Sequence, residues 1–197
     1  MPKGIPLTEQ DQACRRREIF SAAVNLFLEK GFQETSMREI AEAAKIGKST
    51  LYDYFANKDD ILLFVLEEET QNLTNKAREI AERDILPSER LRQIIKMHLE
   101  YMQQNRNLFA RLTFEVQRLN FLSQQSIQKR RYEYQDVVRE VIEEGIRDRS
   151  FRKVDSLLAA RLIINSLISI LYTSRPTADA DAMLEETLSI FFVGIQA

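Results

Sequence analysis

The chain has 197 residues and a formal net charge of −2, with 44% apolar and 29% charged side chains, a balance that suits a soluble globular protein. Five Gly and four Pro allow few tight turns and favour long helices over many short strands. A single cysteine, Cys14, excludes an internal disulfide and any Cys-rich zinc site, as expected in a reducing cytoplasm.

The opening "MPKGIPLTEQDQ" reads as a polar arm without the apolar core of a signal peptide. From Cys14 apolar residues recur at helical spacing, with Ile19, Ala23, Leu26 and Phe27 on one face, until Gly31 ends the helix. In "ETSMREIAEAAKIG", Thr35 or Ser36 can cap a second, short helix, and Glu39 is the capping-box partner of Ser36. Met37, Ile40, Ala41 and Ala44 form its apolar face. Gly47 then opens a third helix, "KSTLYDYF", after a turn of three or four residues. Two short helices joined in this way, the second carrying polar residues in its first turn, describe a helix-turn-helix.

A longer helix starts at Lys58, with Asp59 and Asp60 favourably placed against its positive end. Pro87 and Ser88 mark the next break. Helical patterns follow from about Ser88 to Gln104, from Asn107 to about Leu119, and from Leu122 to Arg149. Another runs from Asp155 to Ser174, and a last one follows "SRPTAD". The sequence therefore predicts an all-α protein of about nine helices, with a three-helix helix-turn-helix domain at residues 1–57 and a helical domain at 58–197. The most apolar run, Leu157 to Tyr172, is interrupted by Arg161 and Asn165 and falls short of the roughly 20 residues that a membrane span needs.

The slightly acidic total does not exclude a nucleic-acid partner, because phosphate is bound by a local patch. Lys48, Ser49 and Thr50 occupy the first turn of the recognition helix, the part that reaches base edges in a major groove. Lys48 can donate to guanine O6 and N7. Leu51 and Phe55 belong to its buried face. Arg38 faces away from the apolar side of its helix and is a base or phosphate candidate. Thr35, Ser36 and Lys58 stand at helix starts suited to phosphate, although simple capping satisfies Thr35 and Ser36 equally well. The run Arg15, Arg16, Arg17 is given no role, since a basic run is more often a solvated face.

The stretch "RREIFSAAVNLFLEKGFQETSMREIAEAAKIGKSTLYDYFANKDDIL" resembles the N-terminal DNA-binding domain of the TetR family of bacterial repressors. The resemblance implies that Tyr52 and Tyr54 contact phosphate, which sets the helix's orientation without reading bases. Gly47 departs from the Ser or Thr of many members, implying either a weaker cap or a closer backbone approach. It further implies a ligand-responsive regulator, most simply a repressor in the cytoplasm, with double-stranded operator DNA and a small apolar or amphipathic effector as partners. Met97, Tyr101, Phe109, Phe114, Phe121 and Tyr134 are the candidate walls of the effector pocket.

Two motifs held roughly 34–36 Å apart would read a palindromic operator, which demands a homodimer. The last two helices offer the surface, with Leu162, Ile163, Ser166, Ile170, Leu184, Leu188, Phe191 and Phe192 as interface candidates in a four-helix bundle. No nucleophile elbow, P-loop, HExxH or His/Cys cluster is present, and the single histidine, His98, limits acid–base chemistry. No enzyme, metal or cofactor is therefore expected. Two rival readings are a helical oligomerisation protein that has lost DNA binding and, less favoured, an all-α enzyme.

Overall fold

The computed structural model describes residues 8–195. Among them are nine α-helices and no strand: α1 (Glu9–Lys30), α2 (Met37–Ala43), α3 (Lys48–Tyr54), α4 (Lys58–Ala81), α5 (Pro87–Gln104), α6 (Arg106–Val116), α7 (Phe121–Arg147), α8 (Ser156–Tyr172) and α9 (Ala180–Ile195). None of these helices is long and apolar enough to cross a membrane. The all-α reading holds, with one change at the start. The first helix begins at Glu9 rather than near Cys14, because Thr8 caps it. The Thr8 hydroxyl accepts from the Asp11 backbone, and the Asp11 carboxylate takes the Thr8 N–H in return.

The helices fall into two compact units. One takes the chain through Glu68 together with Asn107–Gln124; the other takes Glu69–Arg106 and everything from Gln125 onwards. The first unit is closed by Ile19, Ala23 and Phe27 of α1, Ile40 of α2, Leu51 of α3, Ile61, Leu62 and Val65 of α4, and Leu108 and Leu112 of α6, all buried. Each such side chain contributes about 1.5–3 kcal/mol relative to remaining in water. Edge-on and tilted ring pairs add to this core, with Phe27–Phe32 at 5.2 Å and Phe55–Phe64 at 5.3 Å.

In the second unit, α5 packs on α8 and α8 on α9. Leu91, Ile94 and Leu99 of α5, Val138 and Ile142 of α7, Ile163 and Leu167 of α8, and Leu184 and Leu188 of α9 are buried in it. Asp155 caps α8 through the Leu158 N–H at 2.9 Å, as its sequence position suggests. Arg90 joins two elements by donating to the Ala81 carbonyl at 2.6 Å and to the Glu144 carboxylate at 2.5 Å.

Candidate nucleic-acid interface

The geometry of α2 and α3 follows from a few local contacts. Ser36, not Thr35, caps α2: its hydroxyl accepts from the Glu39 N–H at 3.3 Å, and its own N–H donates to the Glu39 carboxylate at 2.9 Å. That carboxylate also takes the Lys30 ammonium at the end of α1. The Lys30 bond, followed by those from Ser36, lowers the Glu39 carboxyl to about 2. The helix therefore keeps a negative charge at its positive end over the whole physiological range.

The turn that follows is held by backbone alone. The Lys45 N–H reaches the Glu42 carbonyl at 3.1 Å and the Ile46 N–H reaches Ala41 at 3.0 Å. Lys45 itself takes a left-handed φ of 56°. Gly47, the N-cap of α3, is extended (φ −67°, ψ 147°) and supplies no side-chain cap. A Cβ there would meet only Thr50 Oγ1 at 3.6 Å and Ser49 Oγ at 3.7 Å, which is ordinary contact. Of the two explanations for this glycine, the weaker cap is therefore real, while no crowding within the chain requires its small size.

On α3, Leu51 is fully buried and Phe55, just after the helix, is nearly so. With that face fixed inward, Lys48, Ser49 and Tyr52 are exposed, and Thr50 and Tyr54 are half-buried. The Lys48 ammonium lies 5.8 Å from the Tyr52 ring centre, so the two share one outer strip. Arg38 is exposed on α2, bound to Glu42 at 2.7 Å, and that bond raises its already high pKa. Ser36 is exposed at the start of the same helix.

Two candidates need correction. Thr35 is only 2% exposed, its hydroxyl donates to the Gly31 carbonyl at 2.7 Å, and its N–H is bonded to Phe32. Both of its donors serve the loop, and none is left for phosphate. Lys58 is likewise turned inward. Its ammonium donates to the carbonyls of Phe32, Gln33 and Thr35 at 2.7, 3.0 and 2.8 Å, and stands 4.4 Å from the Phe32 ring centre. All three donors of the ammonium are thus spent on the α1–α2 loop. Burial lowers its pKa, against the opposing pull of carboxylates led by Asp59. No pattern in the sequence announces this lysine's task, because it depends on three carbonyls from a distant loop.

The candidate pocket residues differ in their surroundings. Phe114 and Phe121 are 74% and 72% exposed, so neither ring walls an enclosed cavity. Met97 and Phe109 are half-buried. Tyr101 and Tyr134 are buried, but each is engaged in a polar contact. The Tyr101 hydroxyl donates to the backbone carbonyl of Glu69 at 3.1 Å and to its carboxylate. Burial, then the Glu69 bond, pushes that phenol upward. Beside it lies an open groove of about 470 Å³ lined by Asn72, Asn75, Lys76, Glu79 and Asn105, too polar for the apolar wall that the sequence suggests. Tyr134 shares a 2.8 Å hydrogen bond with His98 Nδ1, the rings meeting edge-on at 4.9 Å. Burial lowers His98 to about 4 and raises the Tyr134 phenol.

The interface candidates also divide. Ile163, Ile170, Leu184, Leu188 and Phe192 are buried within this chain, because α8 faces both α5 and α9. Ser166 is half-buried with its hydroxyl on the Ile163 carbonyl at 2.6 Å, and Phe191 is half-buried. Leu162 alone of the set is exposed, at 61%. Leu158, Ile168 and Tyr172 on α8, and Ile190 and Val193 on α9, are exposed apolar side chains that the sequence reading passed over.

Residues 19–65 match the bacterial regulatory proteins of the tetR family, and residues 84–172 match the tetracyclin repressor-like C-terminal domain, together more than half of the chain. The HTH-type transcriptional regulator PksA of Bacillus subtilis is 35% identical over 95 residues, 48% of this chain and 44% of that protein. The fatty acid metabolism regulator protein of the same organism is 25% identical over 151 residues, 76% of this chain and 78% of that one. The transcriptional regulator FadR from Bacillus subtilis, solved in complex with stearoyl-CoA, has the same fold, with a TM-score of 0.77 at 24% identity over 91% of this chain and 99% of that one. The chain belongs to the TetR family of bacterial regulatory proteins. It is a transcriptional regulator of that family, not an enzyme.

Proposed function

We propose that this regulator is a cytoplasmic, ligand-responsive repressor that binds a palindromic operator as a homodimer and is released by a small apolar or amphipathic effector. Residues 1–57 act as its DNA-binding domain and 58–197 as its effector and dimerisation domain. The observation that carries the reading is α3: burial of Leu51 turns Lys48, Ser49 and Tyr52 outward from a seven-residue helix set against α2 by a tight turn. Lys48, Ser49 and Thr50 address base edges, Tyr52, Tyr54 and Ser36 address the backbone, and Arg38 addresses a base or a phosphate. The match to a repressor-like C-terminal domain supports repression. Exposed apolar residues on α8 and α9 support a second copy as their cover. An effector acts by its difference in affinity for two conformers of the dimer, only one of which matches adjacent grooves.

The test is selection of bound duplexes from a random pool, followed by binding series with point variants. Lys48→Ala is expected to change which bases are preferred, by about 1–3 kcal/mol at the affected position. Tyr52→Phe is expected to weaken binding to all duplexes alike. Because one relative regulates fatty acid metabolism, acyl thioesters are the first compounds to screen for release of the selected duplex. Failure to enrich any sequence, or affinity that does not change with salt, overturns the reading.

A further inference from the structure

The turn between α2 and α3 holds its residues in an unexpected order. Its left-handed position, which glycine occupies without strain, carries Lys45 at φ 56°. Gly47, two residues later, stands in extended backbone that any residue adopts, with room for a Cβ. The hydrogen bonds of the turn are all backbone and would form equally well around a glycine at position 45. The Lys45 side chain therefore contributes nothing to the turn that forces it into this conformation. It is exposed, and its ammonium has no hydrogen bond or ion pair among the described residues. Backbone strain that no local contact offsets points to a function for the side chain.

The surroundings indicate which function. Lys45 borders an open groove of about 670 Å³ between α1 and the turn, which Arg15, Arg17, Glu18 and Glu29 also line. Arg15 is neutralised by Glu18 at 2.7 Å, whereas the exposed Arg17 has no such partner among the described residues. Among the described residues, two cations without such partners thus flank the helix-turn-helix on the side of α1, with Lys45 three residues before Lys48. Long, flexible ammonium and guanidinium groups at such a margin suit a repeating anion, the phosphate backbone, rather than base edges.

We propose that Lys45, with Arg17 on the same groove, forms a backbone-phosphate contact outside the recognition helix and extends the DNA footprint along the flank of the motif. This rests on the DNA-binding reading above. The experiment uses the full chain, a selected duplex and an unrelated duplex, titrated from about 50 to about 200 mM salt. The variants are Lys45→Gln, which keeps the strain and loses the charge, Lys45→Gly, which loses both, and Arg17→Gln. Each is expected to weaken both duplexes by the same factor and to make the log–log salt dependence shallower by about 0.9 per bound subunit. Lys45→Gly is also expected to melt above the parent protein while binding no better than Lys45→Gln. Parent-like affinity and slope in both Lys45 variants would overturn the proposal, as would a loss confined to the selected duplex, which marks a base reader. Failure of the parent protein itself to enrich any duplex would strike the DNA-binding reading first, and is told apart because it needs no variant.

Discussion

Gly145, near the end of α7, shows how much one missing methyl group can matter. A Cβ there would stand 2.3 Å from Cδ2 and 2.6 Å from Cε2 of Phe151, well inside contact distance. The Phe151 N–H also donates to the Gly145 carbonyl at 2.8 Å, which pins the ring over the helix. Gly145→Ala is therefore expected to cost about 1–3 kcal/mol in urea unfolding, and a smaller residue at Phe151 should recover part of the loss. His98 is the other residue with a sharp consequence. Its folded pKa of about 4 lies below the unfolded value of 6.5, so between those limits the unfolded chain holds the extra proton. Stability is fully present above pH 6.5 and falls as the pH drops towards 4, by on the order of 3 kcal/mol. Thermal melts of a His98→Gln variant should show a flatter profile across that window; an unchanged profile would remove His98 as the cause.

At the scale of elements, the α1–α2 loop depends on Lys58, which ties it to the start of α4. Lys58→Met leaves the carbonyls of Phe32, Gln33 and Thr35 without their charged donor. A loss of about 1.5–3 kcal/mol is expected, with faster amide exchange in the loop. DNA affinity should fall with it, but the salt dependence should not change, which distinguishes a structural lysine from a phosphate contact. The same loop shows what sequence could and could not reveal. Ser36 with Glu39, Asp155 before α8 and the Leu51–Phe55 spacing were legible because caps and helical faces are local. The bonds of the Thr35 hydroxyl and the Lys58 ammonium were not legible, because their partners lie across the loop, where spacing along the chain carries no information. Sequence spacing places the start of α1 too late because Thr8 and Asp11 lie in a polar stretch, and only the structure shows them joined as its cap.

For the whole molecule, α8 and α9 divide their apolar residues between an inner and an outer set. Sequence composition showed that these helices needed more cover than one face, but not which residues faced which way. Packing of α5 and α9 against α8 takes Ile163 and Leu188 inward and leaves Leu162, Ile190 and Val193 outside. Leu162→Glu should therefore leave the fold intact yet shift sedimentation towards a single chain, with a steep loss of affinity for a palindromic duplex. Unaltered sedimentation would separate this face from self-association. The pocket candidates were the least legible, since aromatic residues at helical spacing become core, surface or polar partner according to neighbours that only the fold supplies.

The membership of α6 in the first compact unit has a consequence for recombination. Leu108 and Leu112 are buried, and Glu115 accepts from Gln33 of the α1–α2 loop at 2.5 Å. The unit that carries α3 is thus assembled from two separated stretches of chain, and a single crossover that exchanges it whole must also carry residues 69–106 of the other unit. A chimera that takes residues 1–68 from this protein and the remainder from a relative inherits a foreign α6 against its own loop. Such hybrids should lose stability unless 107–124 travel with the first segment, so substitutions on the exposed face of α3 disturb this unit less than exchange of its N-terminal third.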